Sequence, residues 1–102
     1  MSLDQSLSAE EMYVDSLYEV DAVLEKIKQN TSAQGMPDIA VSEGYGRLIT
    51  MLVKMNNTKQ ALEIGALGGY SGVCIARGLQ EEGQLTSLEL LPQFAEVAKQ
   101  KI

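Results

Sequence analysis

Gln60-Ala61-Leu62-Glu63-Ile64-Gly65-Ala66-Leu67-Gly68-Gly69-Tyr70-Ser71 reads as a buried strand that ends in a glycine turn and opens a helix. Leu62 and Ile64 supply the apolar β character, Gly65 permits a tight turn, and Gly68-Gly69 remove side chains that would keep a ligand off the backbone. A carboxylate, Glu63, sits two residues before the turn glycine. One helix later a second strand-like run, Leu85-Thr86-Ser87-Leu88-Glu89-Leu90, carries Glu89 near its end. An acid there can hold the two hydroxyls of a ribose, and the 24 residues between Gly65 and Glu89 match the spacing of about 20 known for such sites. The junction therefore predicts a nucleotide-type cofactor crevice.

The glycines narrow the choice of cofactor. A dinucleotide fingerprint beginning at Gly65 needs glycines at 67 and 70, and the chain has Leu67 and Tyr70 there. Pyrophosphate requires close backbone approach and a bare helix N-terminus, so a ligand without phosphates suits this turn better. S-adenosylmethionine keeps an adenosine for Glu89 and carries a sulfonium and an ammonium that acidic neighbours favour. A nicotinamide-dependent oxidoreductase is the rival reading from another enzyme class.

Around this core, Ser8-Ala9-Glu10-Glu11 fits a capping box, and Tyr13, Leu17, Val20, Leu24 and Ile27 recur at spacings of three and four. They predict one amphipathic helix over residues 8–30, which either covers its own core or forms an interface. Ser42 can cap a second helix whose stripe is Tyr45, Leu48, Ile49, Leu52 and Val53, with Arg47, Thr50 and Lys54 outward. A third runs from about Tyr70 to Gln80, with Ser71 as a candidate cap, and a fourth follows Pro92, a residue suited to a helix's first turn. Residues 42–102 form a cofactor-binding βαβα portion. At 102 residues, with two βα units, the chain reads as one partial domain with an incomplete sheet.

The stretch Ala61 to Ser71 with Ala76-Arg77-Gly78-Leu79 resembles motif I of the small S-adenosylmethionine-dependent O-methyltransferases, nearest the caffeoyl-CoA and catechol O-methyltransferase group of bacterial type. Met36-Pro37-Asp38-Ile39-Ala40-Val41-Ser42 is similar to their segment before the first core helix, and Thr86-Ser87-Leu88-Glu89 to their second strand; the likeness spans roughly residues 10 to 102. It implies a Rossmann-like methyltransferase fold, of which this chain is the N-terminal half. It also implies that Val41, Glu63, Gly65, Ala66, Ser71 and Glu89 contact the cofactor: Glu89 at the ribose, Gly65 and Ala66 under the ligand, and Glu63, Ser71 and Val41 near its methionine end. Catalytic residues, and the ligands of any divalent metal, are implied to lie beyond Ile102. Glu43-Gly44 stands where the family often has a Pro-containing turn, which leaves the role of Glu43 open.

Composition sets the limits. A net charge of -6, with no basic cluster and no histidine, argues against nucleic acid and gives no metal site in the chain. Asp38 and Glu43 near the substrate mouth read as solvated helix-start acids. The single Cys74, in an apolar run, fits a core residue in a reducing cytoplasm, and no signal peptide or bilayer-length apolar run is present. The expectation is a cytoplasmic transferase acting on a small hydroxylated acceptor, aromatic ones included, and assembled as a homo-oligomer, a dimer. The alternative is a truncated, non-catalytic oligomeric fragment, inactive alone.

Overall fold

The computed structural model describes residues 7–36 and 42–99. Three helices, α1 (Ala9–Ser16), α2 (Ala22–Ala33) and α3 (Glu43–Met55), precede β1 (Gln60–Ile64), α4 (Tyr70–Gly78), β2 (Gln84–Leu88) and α5 (Pro92–Lys99). The strands pair in parallel, Gln60 opposite Gln84 through Ile64 opposite Leu88, and α4 is the crossover between them.

The helix expected over residues 8–30 is two helices. The capping box starts α1 as anticipated: Ser8 Oγ accepts from the Glu11 amide at 3.1 Å, and Glu11 accepts from the Ser8 amide at 2.9 Å. The helix then stops at Ser16, and Asp21 opens a new one by accepting from the Val23 and Leu24 amides, both at 3.1 Å. A short acid that satisfies two free amides competes with the continuing apolar period, and here it prevails. The end expected at Asn30 moves to Ala33.

Asp21 also receives Arg77 from the last turn of α4, which ties the start of α2 to the end of α4. That guanidinium, with the Leu24 amide, lowers the Asp21 carboxyl from 3.8 to about 2. A depressed folded pKa means the stabilisation is complete above 3.8 and disappears as the pH falls through about 2. Because both side chains are about 40% exposed, the ion pair is worth only about 0.5 kcal/mol. Asp21→Asn keeps an acceptor for the cap and removes the charge. Urea melts should show it less stable than the parent by about that amount at neutral pH, with the gap narrowing below 3.8; a constant gap would mean that Arg77 contributes nothing.

The core lies between the helices. Ile27, Tyr70, Val73 and Cys74 are buried together, with Leu24 and Ile49 packed against them. The tightest contact is α3 on α4, made through small residues. A Cβ on Gly78 would stand 2.6 Å from the Thr50 carbonyl oxygen, and one on Gly46 would stand 3.0 Å from Cys74 Sγ. Thr50, expected to face outward, is part of this seam and donates to the Cys74 carbonyl at 2.7 Å. Conversely Tyr45, Leu48 and Leu52 of the expected inner stripe are 45 to 61% exposed. Close approach of two helices selects small side chains at the contact, so hydropathy alone misplaces the buried face.

The sheet corrects a further expectation. Ala61, Glu63, Leu85 and Ser87 alternate onto the side of α4, whereas Leu62 and Ile64 are 64% and 83% exposed on the opposite side with Leu88. Only one side of this sheet is covered among the described residues. No helix among them is long and apolar enough to cross a membrane.

Candidate cofactor site

The ends of β1 and β2 meet at the glycine turn. The Gly65 amide donates to the Leu88 carbonyl at 2.7 Å, extending the ladder by one residue. Three of the next residues then take left-handed backbone: Gly65 at φ +91°, Leu67 at +46° and Gly69 at +96°. Glycine tolerates this; a leucine does so only under constraint. The constraint is Glu89. Its Oε1 accepts from the amides of Ala66 at 3.0 Å and Leu67 at 2.8 Å, and its Oε2 accepts from the Leu91 amide at 3.2 Å. These amides, Leu67 foremost, hold the Glu89 carboxyl below its ordinary value of 4.5.

Glu63 is the second acid of the turn. It is 8% exposed and accepts hydroxyl bonds from Ser71 on α4 and from Ser87 on β2, the latter at 2.9 Å. Among the described residues no Lys or Arg pairs with it. A buried carboxylate held only by neutral donors is favourable ground for an added cation. Glu63 lies on β1 opposite Ser87, and Glu89 directly follows β2, so both acids stand at the same end of the strand pair.

The structure therefore brings Glu63 and Ser71 together, and Gly65, Ala66 and Glu89 together. Two roles differ from expectation. The Ser71 hydroxyl binds Glu63 and does not cap α4, and the Ala66 methyl is buried, so Ala66 meets the crevice only through its backbone. Val41 lies outside the described residues. Ser87 was missed, since its role follows from lying opposite Glu63 across the ladder, and only strand register reveals that. Among the described residues no group of three or more metal-ligating side chains occurs.

An adenosyl group fits this arrangement. Among the described residues nothing stands within 4 Å of where a Cβ on Gly65 would be, so none of them closes the end of β1. A separate cavity of about 350 Å³ lies among α2, α3 and α4. It is bordered by Leu24, Arg47, Met51 and Cys74 and touches neither acid of the turn. Tyr70 forms part of its wall, and the buried Tyr70 hydroxyl has no hydrogen-bond partner among the described residues. Burial raises its pKa.

Comparison with known proteins agrees with the geometry. A family profile described as O-methyltransferase matches residues 13–102. Catechol O-methyltransferase of Niastella koreensis is 37% identical over 101 residues, covering 97% of this chain and 45% of that protein. Among solved structures, the O-methyltransferase from Bacillus cereus in complex with SAH superposes with a TM-score of 0.89 at 36% identity, over 93% of this chain and 44% of that one. The O-methyltransferase from Streptomyces achromogenes involved in tomaymycin synthesis, in complex with SAM, gives a TM-score of 0.84 at 33% identity, over 99% of this chain and 46% of that one. The chain thus spans a little under half the length of the relatives it matches. Its helices and open parallel strand pair are part of their Rossmann-like α/β fold. The motif around Gly65, the acid-held turn and these likenesses agree: the chain belongs to the O-methyltransferase family.

Proposed function

We propose that this chain is the cofactor-binding portion of an S-adenosylmethionine-dependent O-methyltransferase that methylates a hydroxyl of a small acceptor, aromatic ones included. The observation that carries the reading is the pair of acids at the ends of two parallel strands, one on each side of a glycine turn that no described residue covers at Gly65. The bound SAH and SAM of the two family structures support the same cofactor here.

When bound, the cofactor supplies a methyl group activated by a sulfonium. This chain's residues bind and orient it. Glu89 holds the ribose with acceptor capacity left over from the turn amides, Gly65 and the Ala66 backbone lie beneath the ligand, and Glu63, set by Ser71 and Ser87, offers negative charge toward its methionine end. The family resemblance assigns Val41 a role at the same end. The catalytic groups, and any divalent metal that ionises the acceptor, are assigned to parts of the enzyme outside this chain, which alone is inactive. The free, buried Cys74 supports a reducing cytoplasmic setting, and the exposed apolar faces of α1 and α3, with Met12, Tyr13, Tyr45 and Leu48, support a homodimer.

Calorimetric titration tests this. S-adenosylhomocysteine should bind and NAD should give no heat. Heat from NAD alone would replace the reading with an oxidoreductase domain, and silence toward both would leave a non-catalytic fragment.

A further inference from the structure

Gly68 sits in the middle of the glycine turn, and what stands against it comes from the N-terminal helices. A Cβ placed on Gly68 would overlap the Thr31 hydroxyl and lie 3.0 Å from both Thr31 Cβ and Cγ2. Both residues are buried. Thr31 is the last buried residue of α2, and its hydroxyl is fixed by donation to the Ile27 carbonyl at 2.7 Å. A β-branched side chain on a helix has few rotamers, and exchanging hydroxyl for methyl would still fill this space. The contact is therefore a stiff one.

It also meets the turn where the turn is strained. Leu67, the preceding residue, is the one non-glycine in the turn with left-handed backbone, and Glu89 holds its amide from the β2 side. Thr31 stands against the next residue, Gly68. Helix α2 is in turn fastened along α4, through Asp21 to Arg77 at its start and through the buried Ile27, packed with Tyr70, Val73 and Cys74, in its middle.

We propose that Thr31 is a positioning residue of the adenosyl site, and that α2 sets the cofactor affinity of the glycine turn by bracing Gly68 through it. This rests on the cofactor reading given under Proposed function. A ligand seated at Gly65 needs the turn already in its left-handed course, and a turn that must first be ordered binds more weakly by the cost of ordering it.

The test is a double-mutant cycle on the 102-residue chain, reading the affinity for S-adenosylhomocysteine by calorimetry, with circular dichroism fixing a temperature at which each variant is folded. Gly68→Ala should weaken binding by about tenfold, because the added methyl collides with Thr31 and displaces the turn. Thr31→Ala should weaken it by about threefold through loss of the brace, and Thr31→Ser, which keeps the hydroxyl, by less. The double variant should bind within about threefold of Thr31→Ala alone, a rescue that general destabilisation would not produce. Independent, multiplying losses in the double variant would overturn the proposal. Where Gly68→Ala does not fold, Thr31→Ala decides alone, because it only removes atoms: a folded variant with the parent's affinity overturns it. A parent chain that does not bind S-adenosylhomocysteine overturns the cofactor reading and this proposal with it, whereas a parent that binds while the cycle is additive overturns this proposal only.

Discussion

Glu89→Ala should lower the affinity for S-adenosylhomocysteine by about a hundredfold, the effect of losing two charge-assisted hydrogen bonds. Two losses combine. The proposed ribose contact goes, and so does the acceptor for the amides of Ala66, Leu67 and Leu91. Without it Leu67 loses the acceptor that favours its left-handed φ of +46°, so the turn is expected to loosen before any ligand arrives. Stability should fall as well, by about 1–2 kcal/mol in urea melts, the amides being near enough to the surface for water to replace part of what is lost. Glu89→Gln separates the components, since its amide oxygen still accepts from the turn while the charge is gone. Its affinity should lie between those of the parent and Glu89→Ala. The pH dependence has a definite sign: with the Glu89 carboxyl held below 4.5, its stabilisation is complete above that value and is lost as the pH drops through the depressed one. An affinity within twofold of the parent's for Glu89→Ala would remove this residue from the site.

The largest effect on stability is expected at Gly78→Ala. In an exposed helix this exchange stabilises by up to about 1 kcal/mol, because alanine has less backbone freedom to lose. Here the new methyl would stand 2.6 Å from the Thr50 carbonyl oxygen and 2.9 Å from Val53 Cβ. Neither can move without shifting α3, and overpacking of this kind costs about 1–3 kcal/mol or more. Overlap therefore outweighs propensity, and a net loss of about 2 kcal/mol should appear in thermal or urea unfolding. Gly44→Ala is the control. Among the described residues its Cβ would have nothing nearer than 3.8 Å, so the ordinary helix gain should be seen there. Equal behaviour of the two variants would show that α3 and α4 are not in close contact at Gly78.

Local chemistry carried the parts of this fold that the amino-acid sequence made legible. Glycines at 65, 68 and 69 after an apolar run announce a strand, a turn and a helix, because few other residue combinations tolerate that path. The Ser8 and Glu11 capping box and Pro92 at the start of α5 are equally local. What stayed hidden depends on partners distant in the chain. Leu62 and Ile64 look like core residues by hydropathy, yet alternation must send either them or Ala61 and Glu63 toward α4, and the hydroxyls waiting on Ser71 and Ser87 go with Glu63. Thr50 looks like a surface residue until the Gly78 seam brings α4 onto it. Asp21 shows the opposite failure: its capping signal was local and readable, but a run of apolar spacings masked it. Of the candidate site, the residue types were legible, while the bonds of Glu89 to the turn amides and of Ser71 to Glu63 needed three dimensions.

The side of the sheet that carries Leu62, Ile64 and Leu88 also governs how molecules of this chain behave toward one another. At long range their shared charge of -6 keeps them apart, but at contact three aliphatic side chains favour adhesion. Added salt shortens the reach of the repulsion and leaves the adhesion in place, so ionic strength sets the colloidal balance, and dilute buffer is the condition in which this face stays unpaired.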